Sequence, residues 1–146
     1  MSIFSEETDR VLRDAGWYPG RGVDTSTWRS QLGNAGFRMH AAAEKFLEEF
    51  GGLNVDISGP GISRARAPFE LDPLLCLGED DRFSEWSELL GSSLFPAGEL
   101  DHGRYFLGID EGGELYIVVD WLARFGPVPT AFEKLIRGIA AEPVQV

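Results

Sequence analysis

Residues 104–119 read RYFLGIDEGGELYIVV, and this stretch predicts two antiparallel strands joined by a short turn. Apolar side chains dominate on both sides of Asp-Glu-Gly-Gly at positions 110–113, where the two glycines permit the tight reversal that a β-hairpin needs. We therefore expect strands over 104–109 and 114–119, with a further strand before them over 93–97. Three consecutive antiparallel strands of this kind form a β-meander.

Apolar residues at helical spacing occur in the sequence both before and after the predicted strands at 93–119. Helices are expected over 6–15 with Ser5 as N-cap, after Asp24 or Thr25, over 39–50, over 80–90, and after an N-cap at Thr130. Short strands are expected at 53–57 and 65–71, and the tail at 143–146 is expected to be loose. The predicted fold class is α+β, with N-terminal helices packed on a mainly antiparallel sheet and a closing C-terminal helix. A length of 146 residues suits one domain spanning 1–146.

The composition is strongly acidic, with 24 Asp and Glu against 13 Lys and Arg and a formal net charge of -11. Such a charge disfavours nucleic acid and anionic membranes as partners and favours a basic protein, although solubility alone is an alternative explanation. The apolar runs fall far short of a membrane span, and acids occupy the N-terminus where a secretory signal carries basic residues. A single cysteine, Cys76, fits a reducing compartment, so we expect a cytoplasmic protein.

The negative charge is concentrated in one part of the chain. Residues 72–114 contain eleven acidic residues against Arg82 and Arg104, whereas residues 1–40 and the part after 114 are each balanced. At 100° per residue, the helix over 80–90 places its acids opposite its apolar side chains. The acids that we predict to bind a partner lie on this helix and in the turns around it, namely Asp80, Asp81, Glu85, Glu88, Glu99, Asp101, Asp110, Glu111 and Glu114.

Three segments resemble a known family of proteins. They are 15–21 (AGWYPGR), 46–53 (FLEEFGGL), and the segments 95–98 (FPAG) and 107–117 (LGIDEGGELYI) that contain the paired strands with their glycine turn. Together these are similar to the SUKH superfamily of bacterial immunity proteins, and most of all to its third subgroup. The resemblance covers about 11–136 and implies an α+β domain that neutralises a cognate toxin of a polymorphic toxin system by direct binding. The toxins of such systems are often nucleases or nucleic-acid deaminases.

The resemblance supplies no catalytic residues, and it leaves the oligomeric state open. Residues 62–79 match no pattern of the family, so a partner-specific surface could also lie there.

Several residues of the sequence are candidates for metal binding or catalysis. Asp110, Glu111 and Glu114 crowd one turn, but their spacing lacks the alternating ligands of a calcium loop, so a solvated hairpin tip is favoured over a metal site. Carboxylate pairs such as Glu85 with Glu88, or Asp72 with Glu79, would need a cleft to shift one pKa. Cys76 with His102 would need the fold to bring them together, and an apolar role for Cys76 is favoured. We predict no catalytic residues, no metal and no cofactor.

The sequence also predicts where several aromatic residues and His40 lie in the fold. Trp86 and Trp121 are expected in the core, and Trp17 is the tryptophan whose placement the pattern decides least. His40 is expected to begin or cap a helix.

Two functions from different classes remain. The first is an immunity protein that binds a basic toxin domain through an acidic surface, by electrostatic steering and then occlusion. The alternative is a non-enzymatic intracellular scaffold module of the same fold with no toxin partner. A toxin gene beside this one would distinguish them.

Overall fold

The computed structural model describes residues 3–145, in which three helices precede the first strand and two more lie between later strands of the sheet. The helices are α1 (Glu6–Asp14), α2 (Ser26–Asn34), α3 (Ala41–Phe50), α4 (Asp80–Leu90) and α5 (Thr130–Arg137). The strands are β1 (Asn54–Val55), β2 (Phe69–Glu70), β3 (Phe95–Leu100), β4 (Tyr105–Ile109), β5 (Glu114–Val118), β6 (Leu122–Pro127) and β7 (Glu142–Pro143). A short 3₁₀ helix spans Pro73–Cys76. None of the described helices has the length and apolar character needed to cross a membrane.

The seven strands form a single antiparallel sheet in which every strand pairs with its neighbours in sequence. The order is β1-β2-β3-β4-β5-β6-β7, which confirms the predicted meander and the α+β fold class. The central hairpin has Ile109 opposite Leu115, with the turn at 110–113 as predicted. Strands β3 to β6 are mostly buried, so this part of the sheet is covered on both faces.

An aromatic cluster joins the N-terminal and C-terminal helices. The Phe132 ring of α5 lies 4.6 Å from Phe50 and 5.9 Å from Phe46, both on α3. Phe4, before α1, lies 6.0 Å from Phe132 in an edge-to-face arrangement, and Phe69 of β2 lies 6.2 Å from it. Aromatic pairs at these spacings add about 0.5–1.5 kcal/mol to the effect of burial alone. The closing helix is therefore an integral part of the core, as the sequence predicts.

The segment at 16–21 attaches the first helix to the third. Trp17 is buried and stacks on Phe50 at 6.1 Å, and its indole Nε1–H donates to Glu49 Oε2 at 2.9 Å. Arg21 Nη1 donates to the backbone oxygen of Glu49 at 2.7 Å. This most recognisable part of the sequence therefore has a structural role in the described fold.

Two local features explain where α3 begins and ends. His40 is the N-cap, because its Nδ1 accepts from the Ala43 amide at 3.1 Å while Nε2 lies 3.1 Å from the Ile109 oxygen, which confirms the expected capping role. At the other end, a Cβ on Gly51 would lie 2.6 Å from the Trp28 ring of α2. A glycine is required there because α2 packs so closely on the end of α3.

Several predicted elements differ from those observed. The strands expected at 53–57 and 65–71 pair over only two residues each, because alternating burial does not guarantee a partner strand. Strand β6 was not predicted. The tail is held on the sheet as far as Val144, and not loose as expected, since β7 pairs with β6 and the Val144 amide donates to the Leu122 oxygen. Residue 146 lies outside the described residues. Thr130 is the first residue of α5 and makes no capping bond, because Pro129 occupies the N-cap position.

We expect the Glu133 carboxylate to be a main link between α1 and α5. It accepts from the Ser5 amide and Ser5 Oγ at 2.8 Å each and from Thr8 Oγ1 at 2.9 Å. Because these are charge-assisted bonds and Thr8 is fully buried, Glu133→Ala should lower the free energy of unfolding by about 2–3 kcal/mol. Urea denaturation measures this, with the exposed Glu48→Ala on α3 as control, expected within about 0.5 kcal/mol of the wild type. Equal losses in the two variants would contradict the assignment.

Candidate functional site

Helix α4 is attached to the sheet by two contacts on its inner face. The Phe83 side chain is buried, and a Cβ on Gly108 of β4 would lie 3.0 Å from its ring. One turn later, Trp86 Nε1 donates to the backbone oxygen of Val119, just after β5, at 2.8 Å. These contacts fix the rotation of α4 about its own axis, and therefore which residues face outward.

The outer face of α4 carries a stripe of carboxylates, as the helical spacing predicts. Asp81, Glu85 and Glu88 follow one another at steps of four and three residues, and all three are exposed. None of them forms an ion pair or a side-chain hydrogen bond with any residue among 3–145. Leu89, beside the stripe, is 61% exposed.

A groove of about 670 Å³ separates α4 from the turn between β5 and β6. Its carboxylates come from both sides, with Asp120 contributed by the turn. The residues that line it are Gly78, Glu79, Asp81, Arg82, Glu85, Trp86, Glu88, Leu89, Val119 and Asp120. The groove therefore combines five acidic side chains and one basic side chain with part of an indole ring and an exposed leucine.

Arg82 is the basic side chain of the groove, and it bridges the two walls. Its Nε lies 3.1 Å from Glu79 Oε1, and its Nη1 lies 3.5 Å from Asp120 Oδ1. The Asp120 side chain is still 93% exposed, so this pairing leaves most of its surface open to solvent. Screening by water makes such exposed pairs weak, typically below about 1 kcal/mol.

The predicted acids do not all lie in this groove. Asp80 begins α4, but its carboxylate lies beside Gly36 in the connection between α2 and α3. Glu99 lines a separate depression of about 270 Å³ with Asp56, Glu70 and His102. Asp101 follows β3 and lies 3.7 Å from Arg104. The nine predicted residues thus occupy at least three separate regions of the described surface.

Asp110 has a structural environment. It is only 6% exposed, and its Oδ1 accepts from the amides of Gly112 and Glu114 at 3.0 and 2.9 Å. Its Oδ2 accepts from the Tyr116 hydroxyl at 2.9 Å. This carboxylate closes the β4–β5 hairpin from inside and offers little surface to a partner.

The other acids of the hairpin also have local partners. Glu111 accepts from the Ser93 amide at 3.1 Å, which joins the hairpin tip to the start of β3. Glu114 lies 3.6 Å from Arg124 of β6. The expected solvated tip therefore applies to Glu111 and its neighbouring glycine, but not to Asp110.

The alternatives for chemistry do not come together in the described residues. Among residues 3–145, no group of three or more Asp, Glu, His or Cys side chains is arranged to hold a metal ion. Cys76 is fully buried and its thiol donates to the Gly98 oxygen at 3.2 Å, and burial raises the pKa of this thiol. A buried, protonated thiol is a poor nucleophile. His102 is exposed and lies in the depression with Glu99.

Sequence reasoning missed several residues of the groove, among them Glu79, Asp120 and Leu89. Glu79 precedes α4, Asp120 follows β5, and Leu89 was not considered as a surface residue. The spacing of three residues between Glu79 and Arg82 is enough to predict their ion pair. The sequence gives no such indication for Asp120, because only strand pairing brings it close to α4. The expected burial of Trp121 is also wrong, since its ring is 48% exposed in the β5–β6 turn and lies 5.8 Å from Tyr105.

Comparison with known families gives a match along nearly the whole chain. The sequence model of the SUKH-3 immunity protein family matches residues 4–138. The chain belongs to the SUKH-3 immunity protein family. No curated protein and no solved structure shows significant similarity to it. Membership implies a toxin-immunity role and, in general, a protein toxin as partner. In this SUKH-3 protein the match includes α4 and both walls of the groove.

We expect Tyr116 of this SUKH-3 protein to ionise at unusually high pH. Burial, with the hydrogen bond to Asp110, raises its pKa from 10 to about 12, although Arg124 Nε at 3.3 Å acts in the opposite direction. Because the folded state holds this proton more tightly, the stabilisation is complete below pH 10 and is lost as the pH rises towards 12. Phenolate absorbance should show one of the three tyrosines titrating late, and Tyr116→Phe should remove that step.

The exposed Tyr18 provides the control, because Tyr18→Phe should leave the late step in place. If Tyr116→Phe leaves the late step unchanged, the assignment to Tyr116 is wrong.

Proposed function

We propose that this protein neutralises a cognate toxin domain by direct binding, and that the outer face of α4 with its groove is the surface that meets the toxin. The observation that carries the proposal is the set of three carboxylates without a side-chain partner among residues 3–145, Asp81, Glu85 and Glu88. They extend from a helix whose inner face is anchored by Phe83 and Trp86. The family match supports the toxin as partner, and the charge supports this surface.

The placement of Glu85 and Glu88 disfavours the helix itself, whereas Asp81 lies in the first turn, where the helix dipole favours a negative charge. Like charges at steps of three or four residues destabilise a helix by about 0.2–0.5 kcal/mol per pair. Glu88 also lies in the last turn of α4, where the helix dipole disfavours a negative charge and where no basic residue compensates. Glu85 and Glu88 thus reduce helix stability and have no side-chain partner among residues 3–145, which supports a partner outside the fold.

The proposed mechanism has two stages. The acidic face attracts a basic toxin surface over several ångströms, which raises the association rate. Contact then covers that surface, so that the active site or the nucleic-acid groove of a nuclease or deaminase is blocked. Carboxylates would take the places that phosphates occupy on the toxin's substrate. In this proposal the protein acts without catalysis or a cofactor, binds neither nucleic acid nor membrane, and works in the cytoplasm.

The proposed surface is narrower than the set of acids that the sequence predicts. It contains Asp81, Glu85 and Glu88, with Glu79 and Asp120 added from the groove. Asp110 is omitted because its carboxylate is engaged within the hairpin. Asp80, Glu99, Asp101, Glu111 and Glu114 lie elsewhere or have local partners, and could at most form its rim.

The proposal predicts a charge-dependent association with a toxin domain encoded next to this gene. Reversal of Asp81, Glu85 and Glu88 to Lys should lower the association rate about tenfold or more, because the steering charge changes sign. In the wild type the same rate should fall as salt is added, since exposed charges are screened beyond about 10 Å at 0.1 M ionic strength. Surface plasmon resonance measures both effects.

The matched control reverses three exposed acids outside the groove, Asp14, Glu48 and Glu142, and so makes the same change in net charge. This variant should keep most of the wild-type rate. Equal losses in the two variants would show that only the net charge matters, and binding unaffected by the α4 reversal would overturn the proposed surface.

A further inference from the structure

We propose that the groove beside α4 binds an arginine side chain of the toxin, and that it selects arginine over lysine. This inference rests on the proposed function, and it specifies the chemical group that the groove recognises. Three features of the groove support it: the position of its own arginine, the carboxylates on both of its walls, and the apolar surface that it contains.

The protein's own Arg82 provides the first argument. Its guanidinium uses two different nitrogens to reach carboxylates of two different elements, Glu79 before α4 and Asp120 in the β5–β6 turn. The groove therefore already accommodates a guanidinium between its walls. A second guanidinium would meet Asp81, Glu85 and Glu88, which have no partner among the described residues.

The arrangement of acids suits arginine better than lysine. A guanidinium presents five donors in a rigid planar fork, so it can bond carboxylates that approach from different directions. A lysine ammonium is a compact and strongly hydrated charge, so it gains less binding energy from carboxylates on opposite walls of the groove. In this groove the carboxylates come from α4 and from Asp120 on the opposite side.

The apolar part of the groove provides the third argument. Leu89 is 61% exposed, and the half-buried Trp86 presents part of its indole in the same groove. The weakly hydrated face of a guanidinium and its aliphatic stem pack well on such surfaces, whereas an ammonium must remain in water. The exposed Leu89 among these acids therefore offers an apolar surface to the stem of an incoming arginine.

Nuclear magnetic resonance tests this inference with two small probes, N-acetyl-arginine methylamide and N-acetyl-lysine methylamide. The reporter is the indole N–H of Trp86, which is bonded to Val119 in the groove. The internal control is the indole N–H of Trp28, whose ring lies against Gly51 in the contact between α2 and α3. The arginine probe should shift the Trp86 signal in a saturable way, with at least about threefold weaker binding for the lysine probe, and should leave Trp28 unchanged.

Two variants should change the affinity for the arginine probe in opposite directions. Glu85→Gln should weaken binding of the arginine probe. Arg82→Gln should strengthen it by about threefold, because it releases Glu79 and Asp120 from their present ion pairs. Arg29→Gln is the matched control, since it removes one cation from an exposed ion pair outside the groove and should leave probe binding unchanged.

Equal binding of the two probes, a shift of Trp28 as large as that of Trp86, or weaker arginine binding in Arg82→Gln would each overturn the inference. These outcomes are separate from the fate of the proposed function. A toxin that depends on the α4 carboxylates while the probes show no preference would refute only the selection of arginine. Selective binding of the arginine probe, with a toxin indifferent to α4, would refute the proposed function instead.

Discussion

The packing of Phe83 against Gly108 is the contact on which the site depends. A glycine in the middle of β4 leaves a depression in the sheet, and the Phe83 ring fills it while also meeting Phe37 edge-to-face at 5.7 Å. Because each residue turns a helix by about 100°, a rotation of α4 by one position would direct the polar side chain of Arg82 or Ser84 into this apolar contact. Burial of one phenyl ring therefore fixes the outward direction of the acidic stripe, and the Trp86 bond to Val119 holds the same orientation.

The acids of residues 72–114 are of two kinds, those that hydrogen-bond within the fold and those that are exposed without a partner among the described residues. Asp110 has a structural role, because its two buried carboxylate oxygens accept hydrogen bonds from two turn amides and from the Tyr116 hydroxyl. Arg124 continues this chain of hydrogen bonds to β6, and its bond to Tyr116 raises the pKa of the arginine. The acids of α4 have no comparable partners among the described residues. A regional excess of negative charge in the sequence thus contains both structural and exposed carboxylates, and only the contacts distinguish them.

The parts of the fold that could be predicted are those governed by local periodicity. The bounds of α4 and the hairpin at 110–113 follow from helical spacing and from paired glycines. Strand β6 was missed because its pairing depends on β5 and β7, and Trp121 was misplaced because it lies in the turn before β6 and not within a strand. The same limit applies to the site: the spacing of Asp81, Glu85 and Glu88 predicts one face, whereas Asp120 reaches it only through the β5–β6 turn.

A carboxylate that contributes to folding and one without a partner among residues 3–145 differ in what their removal does. Glu133 joins two helices through Ser5 and Thr8, so its loss leaves buried donors without a partner. Glu85 and Glu88 have no such bonds, and their mutual repulsion along α4 means that the fold would be at least as stable without one of them. A basic residue at one of these positions would remove the repulsion. Pairs of opposite charge at a spacing of four residues occur elsewhere in the chain, as Asp9 with Arg13 and Glu133 with Arg137. The proposed binding role therefore accounts for the acidic stripe of α4, which the contacts among residues 3–145 do not explain.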